Sequence, residues 1–99
     1  MPYNDIPMKA NNAVVYNFAV AMELTILDCE KMGLTVEKVE FDGRFRPRIF
    51  VRNCPNAQAL RESGQAQHYG RITQNGIHYD LIQMPNRECK ILWQADRLH

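Results

Sequence analysis

Residues 69–84, YGRITQNGIHYDLIQM, constrain the fold more than any other stretch of this chain. Asn75–Gly76 stands between two alternating runs. A type I′ turn needs two successive residues at positive φ, and Asn-Gly adopts it at the lowest cost. The turn fixes the register. Ile72 is placed opposite Tyr79, and Arg71 opposite Asp80 on the other face. A lone hairpin is barely stable in water, so this one must join further strands or a helix.

The sequence on either side supplies them. After a turn at Pro85–Asn86–Arg87, residues 88–95, ECKILWQA, read as another strand. Pairing Leu81 with Ile91 would set Tyr79 beside Trp93 on the core face. Residues 34–41 and 47–52 read as a second hairpin. A two-residue turn at Asp42–Gly43 would line apolar residues up with arginines. A five-residue loop, 42–46, instead pairs Phe41 with Pro47, Val39 with Ile49 and Glu37 with Val51. It also sets Glu40 opposite Arg48, an opposite-charge pair that stabilises a sheet. The longer loop is the preferred register. Pro55 suits the first turn of a short helix, 55–63, which Gly64 ends. Residues 65–68 are expected to be loop.

Residues 13–32 read as one long helix, with Asn12 as N-cap and Gly33 just past its end. At 100° per residue, Val14, Val15, Phe18, Ala19, Met22, Ile26 and Cys29 share an apolar face. A second strip, Tyr16, Val20, Leu24 and Leu27, lies on the far side. A helix on a single sheet needs only one such face, so the second strip must meet the N-terminal arm, another copy or a partner. The expected architecture is one α+β domain spanning 1–99. It has an arm at 1–11, a long N-terminal helix at 12–33, and an antiparallel sheet of about five strands over 34–99. The short helix at 55–63 falls between strands 2 and 3.

Ninety-nine residues make one domain. No apolar run reaches the roughly 18 residues of a membrane span, and the polar start carries no signal-peptide pattern. Three cysteines, at 29, 54 and 89, are odd in number and widely spaced. They read as reduced thiols, which places the protein in the cytoplasm. The net charge of +1 hides an asymmetry. Residues 1–42 hold three Lys against seven acids, while residues 43–99 hold nine basic groups against four acids. All eight arginines fall in the second part. Such a split points to a charged partner, or to two halves of one fold that attract each other.

No motif for catalysis is present. The histidines 68, 78 and 99 and the cysteines lack zinc-ligand spacing, and the glycines form no phosphate loop. Asp80 is accounted for by Arg71. No enzyme activity, metal or cofactor is expected. What remains is FDGRFRPRIFVRN, residues 41–53. Arg48 is assigned to Glu40. Arg44, Arg46 and Arg52 have no partner evident in the sequence, and Arg52 shares the outer face with Phe50. Arginine with an exposed aromatic suits a protein interface or the stacking and backbone tracking of a nucleic-acid surface. A pI near 7.8 is low for a dedicated nucleic-acid binder. A protein partner is therefore the first expectation and nucleic acid the second. Arg44, Arg46, Phe50 and Arg52 form the expected contact surface, and Tyr16, Val20, Leu24 and Leu27 a possible dimer strip.

Three segments also carry a resemblance: DGRFRPRIFV (Asp42 to Val51), the turn at Asn53–Cys54–Pro55, and CKILW (Cys89 to Trp93). Together they resemble small uncharacterised proteins from phage and prophage regions of enteric bacteria. The resemblance implies a non-enzymatic inhibitor acting by stoichiometric contact with a host defence or nuclease complex, in the manner of an anti-CRISPR protein. At net +1 the chain does not imitate the charge of DNA, so such an inhibitor would block a protein surface.

Overall fold

The computed structural model describes residues 9–43 and 45–97. In chain order the elements are α1 (Ala10–Lys31), β1 (Val36–Glu40), β2 (Arg48–Val51), α2 (Pro55–Glu62), β3 (Gln67–Gln74), β4 (Ile77–Asn86) and β5 (Cys89–Asp96). The strands form one sheet in the order β1-β2-β5-β4-β3. The α+β class is as expected, but the sheet is not wholly antiparallel. β2 and β5 run parallel, with Ile49 beside Ile91 and Phe50 beside Leu92. A β1–β2 hairpin and a β3–β4–β5 meander meet along their most apolar strands, which takes those strands out of water.

The two turns judged from sequence behave differently. Asn75 and Gly76 have φ of 52° and 78°, and the hairpin pairs Ile72 with Tyr79 and Arg71 with Asp80. In the first hairpin Val39 pairs with Ile49 and Glu40 with Arg48, as the five-residue loop requires. Beyond them a bulge at Glu37 brings Val36, not Glu37, opposite Val51. That exchange replaces a carboxylate with an apolar partner. Val39, expected in the core, is 40% exposed because β1 is an edge strand reaching past the helix layer.

The β4–β5 register departs from the expected one. Leu81 pairs with Gln94, Ile82 with Trp93 and Met84 with Ile91. The turn is not Pro85–Asn86–Arg87 but Arg87–Glu88, both at positive φ (48° and 67°). β4 therefore runs on to Asn86, opposite Cys89. An odd-numbered slip exchanges the faces of a strand. Asp80, Ile82 and Met84 are buried on the helix side, while Tyr79 and Leu81 move to the other side.

Both helices cover one face. Ile49, Val51, Ile82, Ile91, Trp93 and Ala95 pack with Cys29 of α1 and Ala57 of α2. The core-facing side of α1 is rotated from the expected one. Thr25 and Cys29 are fully buried, Ala21, Met22 and Met32 pack on the core, and Phe18 meets Phe41 with centroids 5.4 Å apart. Val14, Val15 and Ile26, expected to be buried, are exposed. Polar contacts at the β4–β5 turn fix the rotation. Thr25 Oγ1 donates to the Asn86 carbonyl at 3.3 Å, and Asn86 Nδ2 donates to Thr25 Oγ1 and to Asp28. Arg87 Nε donates to the same Asp28 carboxylate. At the helix end Leu34 N donates to Cys29 O at 2.9 Å. Gly33 takes φ 73°, where a Cβ would strike Asn56 Nδ2. The N-terminal cap is Lys9, with no side-chain hydrogen bond, rather than Asn12. Residues 1–8 of the expected arm lie outside the described residues.

Two predictions arise here. Hydrogen bonds from Arg87 and then Asn86 hold the Asp28 carboxyl below its ordinary value. A carboxylate depressed on folding adds stability above its unfolded pKa, and that stability is lost as pH falls through the lower folded value. Asp28→Asn should therefore leave less acid-dependent loss of Tm between pH 5 and pH 3, roughly the range around an unperturbed carboxylate. A Tm profile parallel to wild type over that range would contradict the role given to Asp28. Secondly, burial pushes the Cys29 thiol up to about 11 and raises Cys89 as well. The thiolate is the reactive form. Iodoacetamide on the native protein should label only the half-buried Cys54 rapidly, with Cys29 and Cys89 following on denaturation.

Candidate partner-binding face

The face of the sheet away from α1 and α2 carries no covering element among the described residues. Its rows follow from the pairings. Lys38, Phe50, Leu92 and Gln83 lie across β1, β2, β5 and β4. Arg48, Lys90 and Pro85 form the row towards the β4–β5 turn. Towards the other end, Gln94 pairs with Leu81 and Leu81 with Gly70. A bulge between His68 and Gly70 frees Tyr69 to lie over the face. Phe50, Tyr69, Tyr79, Leu81 and Leu92 line an open depression of about 520 Å³, edged by Glu37, Lys38, Asn53 and Gln94. A Cβ at Gly70 would rest in ordinary van der Waals contact with Leu81 Cδ1, 3.5 Å away.

The rim is charged and mostly paired. Lys38 Nζ lies 4.6 Å from the Phe50 centroid and 3.2 Å from Glu40. Arg48 reaches Glu40 at 3.6 Å, the pair expected from sequence. Arg52, expected to be unpaired, lies 3.6 Å from Glu37, which the β1 bulge brings within reach. Exposed pairs of this kind contribute about 0–1 kcal/mol each, so they can be exchanged for a partner's charges at little cost. Burial pushes the Tyr69 phenol up, with the Arg48 charge opposing, so it stays a neutral donor.

Beyond Arg48 the surface continues onto the β1–β2 loop. Phe45, 70% exposed, borders a depression of about 580 Å³ with Arg46, Arg48 and Lys90. The loop is shaped by Phe45 N donating to Asp42 Oδ1 at 3.4 Å. Of the four expected contact residues, Phe50 and Arg52 stand on the open face and Arg46 on the adjoining loop. Arg44 lies outside the described residues. Tyr69, Tyr79, Leu81 and Leu92 were not foreseen as surface. Both parities of β4 carry apolar side chains, so alternation did not identify its outer face.

Asp80 belongs to a second, buried cluster. Arg61 Nη2 donates to Asp80 Oδ2 at 2.8 Å, His68 Nε2 lies 3.4 Å and Arg71 Nε 3.8 Å from Oδ1. The Arg71 pairing was expected. Arg61 is the nearer partner, and it ties α2 to β4.

Fold and face together define a two-layer α+β protein with both helices on one side and an aromatic-floored sheet surface on the other. Among the described residues no helix is long and apolar enough to cross a membrane. The chain belongs to a family described as "Uncharacterised protein", whose profile matches residues 3–96. It is similar to an uncharacterised protein of Haemophilus influenzae, 37% identical over 89 residues, covering 90% of this chain and 85% of the relative. No solved structure matches.

Proposed function

We propose that this is a non-enzymatic binding module of the cytoplasm that contacts a protein partner stoichiometrically through its helix-free face and the Phe45–Arg46 loop. One observation carries the reading: Phe50, Tyr69, Tyr79, Leu81 and Leu92 form a floor on an uncovered face, inside a rim of exposed ion pairs. Stable protein interfaces have this anatomy, with an aromatic and aliphatic centre enriched in Tyr, Phe and Arg and a polar rim that excludes water. In its finer form the proposal is an inhibitor of a host defence or nuclease complex, anti-CRISPR-like and encoded on a mobile element. The second reading is a nucleic-acid-binding regulator. Arg46 and Lys90 beside Phe45 favour it. Against it, Lys38, Arg48 and Arg52 already hold carboxylates, so few cations remain to displace counterions from phosphates.

The test is a capture experiment from an enterobacterial lysate with tagged wild type and the variant Phe50→Ala/Arg46→Glu, each with and without nuclease. A discrete protein complex should survive nuclease with wild type and be lost with the variant. Recovery that vanishes on nuclease treatment would move the assignment to nucleic acid. Equal capture by both baits would remove this face from the account.

A further inference from the structure

The two edges of the sheet differ in how they are closed to further pairing. An edge strand presents a row of unpaired backbone N–H and C=O groups, and proteins blunt such rows with charges, proline, bulges or short strands. β1 uses three of these devices. It is five residues long, carries Glu37, Lys38 and Glu40, and bulges at Glu37. β3, at the other edge, is eight residues long, holds no proline, lysine or carboxylate, and has no buried residue. Its bulge lies near one end, between His68 and Gly70, and leaves Gly70–Gln74 in regular register. Among the described residues no backbone hydrogen bond reaches that stretch from outside the hairpin.

The hairpin decides which groups are open. In a two-residue hairpin the closing pair, here Gln74 and Ile77, exchanges both of its backbone hydrogen bonds. Along an antiparallel ladder such pairs alternate with pairs that exchange none. Ile72 and Gln74 therefore bond to β4, while Arg71 and Thr73 aim their N–H and C=O groups outward, about 7 Å apart. An extended backbone repeats its donors and acceptors at that spacing, so the occupant that fits is a strand. Charge defines its side chains. From Gln65 to Tyr79 the chain has no acidic residue. The Arg71 side chain is 65% exposed, and its Nε stands 3.8 Å from an Asp80 carboxylate that Arg61 holds at 2.8 Å. Arg71 and His68 both approach Asp80 on the helix side, and Ile72 lies on the other side. The favoured cross-strand neighbour of Arg71 is a carboxylate, and that of Ile72 is β-branched or aromatic. A second copy of β3 has no carboxylate to offer. We propose that the Gly70–Gln74 edge accepts an extended acidic segment of a partner protein as a sixth strand, with an Asp or Glu opposite Arg71. The edge is separate from the Phe50 floor, and its use does not depend on that face.

The experiment pans a random heptapeptide library displayed on phage against the full chain, then follows the best binder, made synthetically, by amide hydrogen exchange. In the free protein Ile72 and Gln74 should be protected, with Arg71 and Thr73 exchanging fast. Selected peptides should carry Asp or Glu at alternate positions, and at saturation the peptide should slow exchange at Arg71 and Thr73 by about tenfold or more. Thr73→Pro removes one outward N–H where an edge strand tolerates proline, and should weaken binding by about tenfold. Arg71→Gln should weaken it by about threefold, as suits an exposed ion pair, and Phe50→Ala should leave it unchanged. Circular dichroism checks the variants, and the exchange readout on wild type needs none of them. A library that yields no binder, or only binders without acidic residues, would overturn the proposal. So would a peptide that leaves Arg71 and Thr73 exchanging freely, or one displaced by Phe50→Ala and not by Thr73→Pro. Protection of Arg71 and Thr73 without peptide, rising with protein concentration, would give the edge to a second copy instead. None of these outcomes bears on capture through the sheet face, which is tested by other variants.

Discussion

Asp80→Ala is expected to destabilise the protein by about 3–5 kcal/mol, the usual result of leaving one member of a buried ion pair behind. The Asp80 side chain is 6% and that of Arg61 12% exposed, and they meet at 2.8 Å. Removing the carboxylate strands a guanidinium under α2, with His68 and Arg71 left facing it. A domain of this size holds roughly 5–15 kcal/mol in total, so the loss is a large fraction of its stability. Urea denaturation measures it, through a lower midpoint at unchanged slope. The pair itself is a weak source of stability. Arg61 Nη1 is buried without a hydrogen-bond partner, an added cost that an apolar side chain avoids. Asp80→Leu/Arg61→Met should therefore lie close to wild type. A single variant with wild-type stability, or a double variant as unstable as the single, would contradict this account of the cluster.

The second large effect is on binding. Phe50→Ala/Tyr79→Ala should lower affinity for the captured partner by at least about 2 kcal/mol, roughly thirtyfold. Both rings are half-buried and lie on the floor of the depression, where a partner would desolvate them fully. Substitutions on the rim should behave otherwise. Arg52→Ala breaks an exposed contact with Glu37 and should change affinity by less than about threefold, chiefly through the association rate. Titration calorimetry with the purified partner distinguishes the two. A large effect at Arg52 with none at Phe50 and Tyr79 would favour phosphate recognition over a protein interface.

How much of this was legible in the sequence depended on local chemistry. The Asn75–Gly76 turn and the Glu40–Arg48 pair are set by neighbouring residues, and both registers followed. The Arg87–Glu88 turn uses two residues that rarely take positive φ, and nothing local announces it. That turn shifts the β4–β5 register, so Tyr79 and Leu81, two of the five floor residues, stand on the side opposite to the expected one. The bulge at Glu37 was equally hidden, and it is what supplies Arg52 with a carboxylate. The parallel pairing of β2 with β5 depends on contacts across forty residues of chain, which periodicity does not report. On α1 the two apolar strips were visible, but their orientation depends on Asn86 and Arg87 gripping Thr25 and Asp28, so the buried side was read about an eighth of a turn away.

The central claim is that the helix-free face receives the partner. Its most direct test is an amide-resolved NMR titration of isotope-labelled protein with the purified partner. The account predicts shift changes concentrated at Phe50, Tyr69, Leu81, Leu92 and Gln94 and at the Phe45–Arg46 loop, with α1 residues unmoved. Changes confined to Val14–Leu27, with the sheet face silent, would contradict it and assign partner binding to the helix.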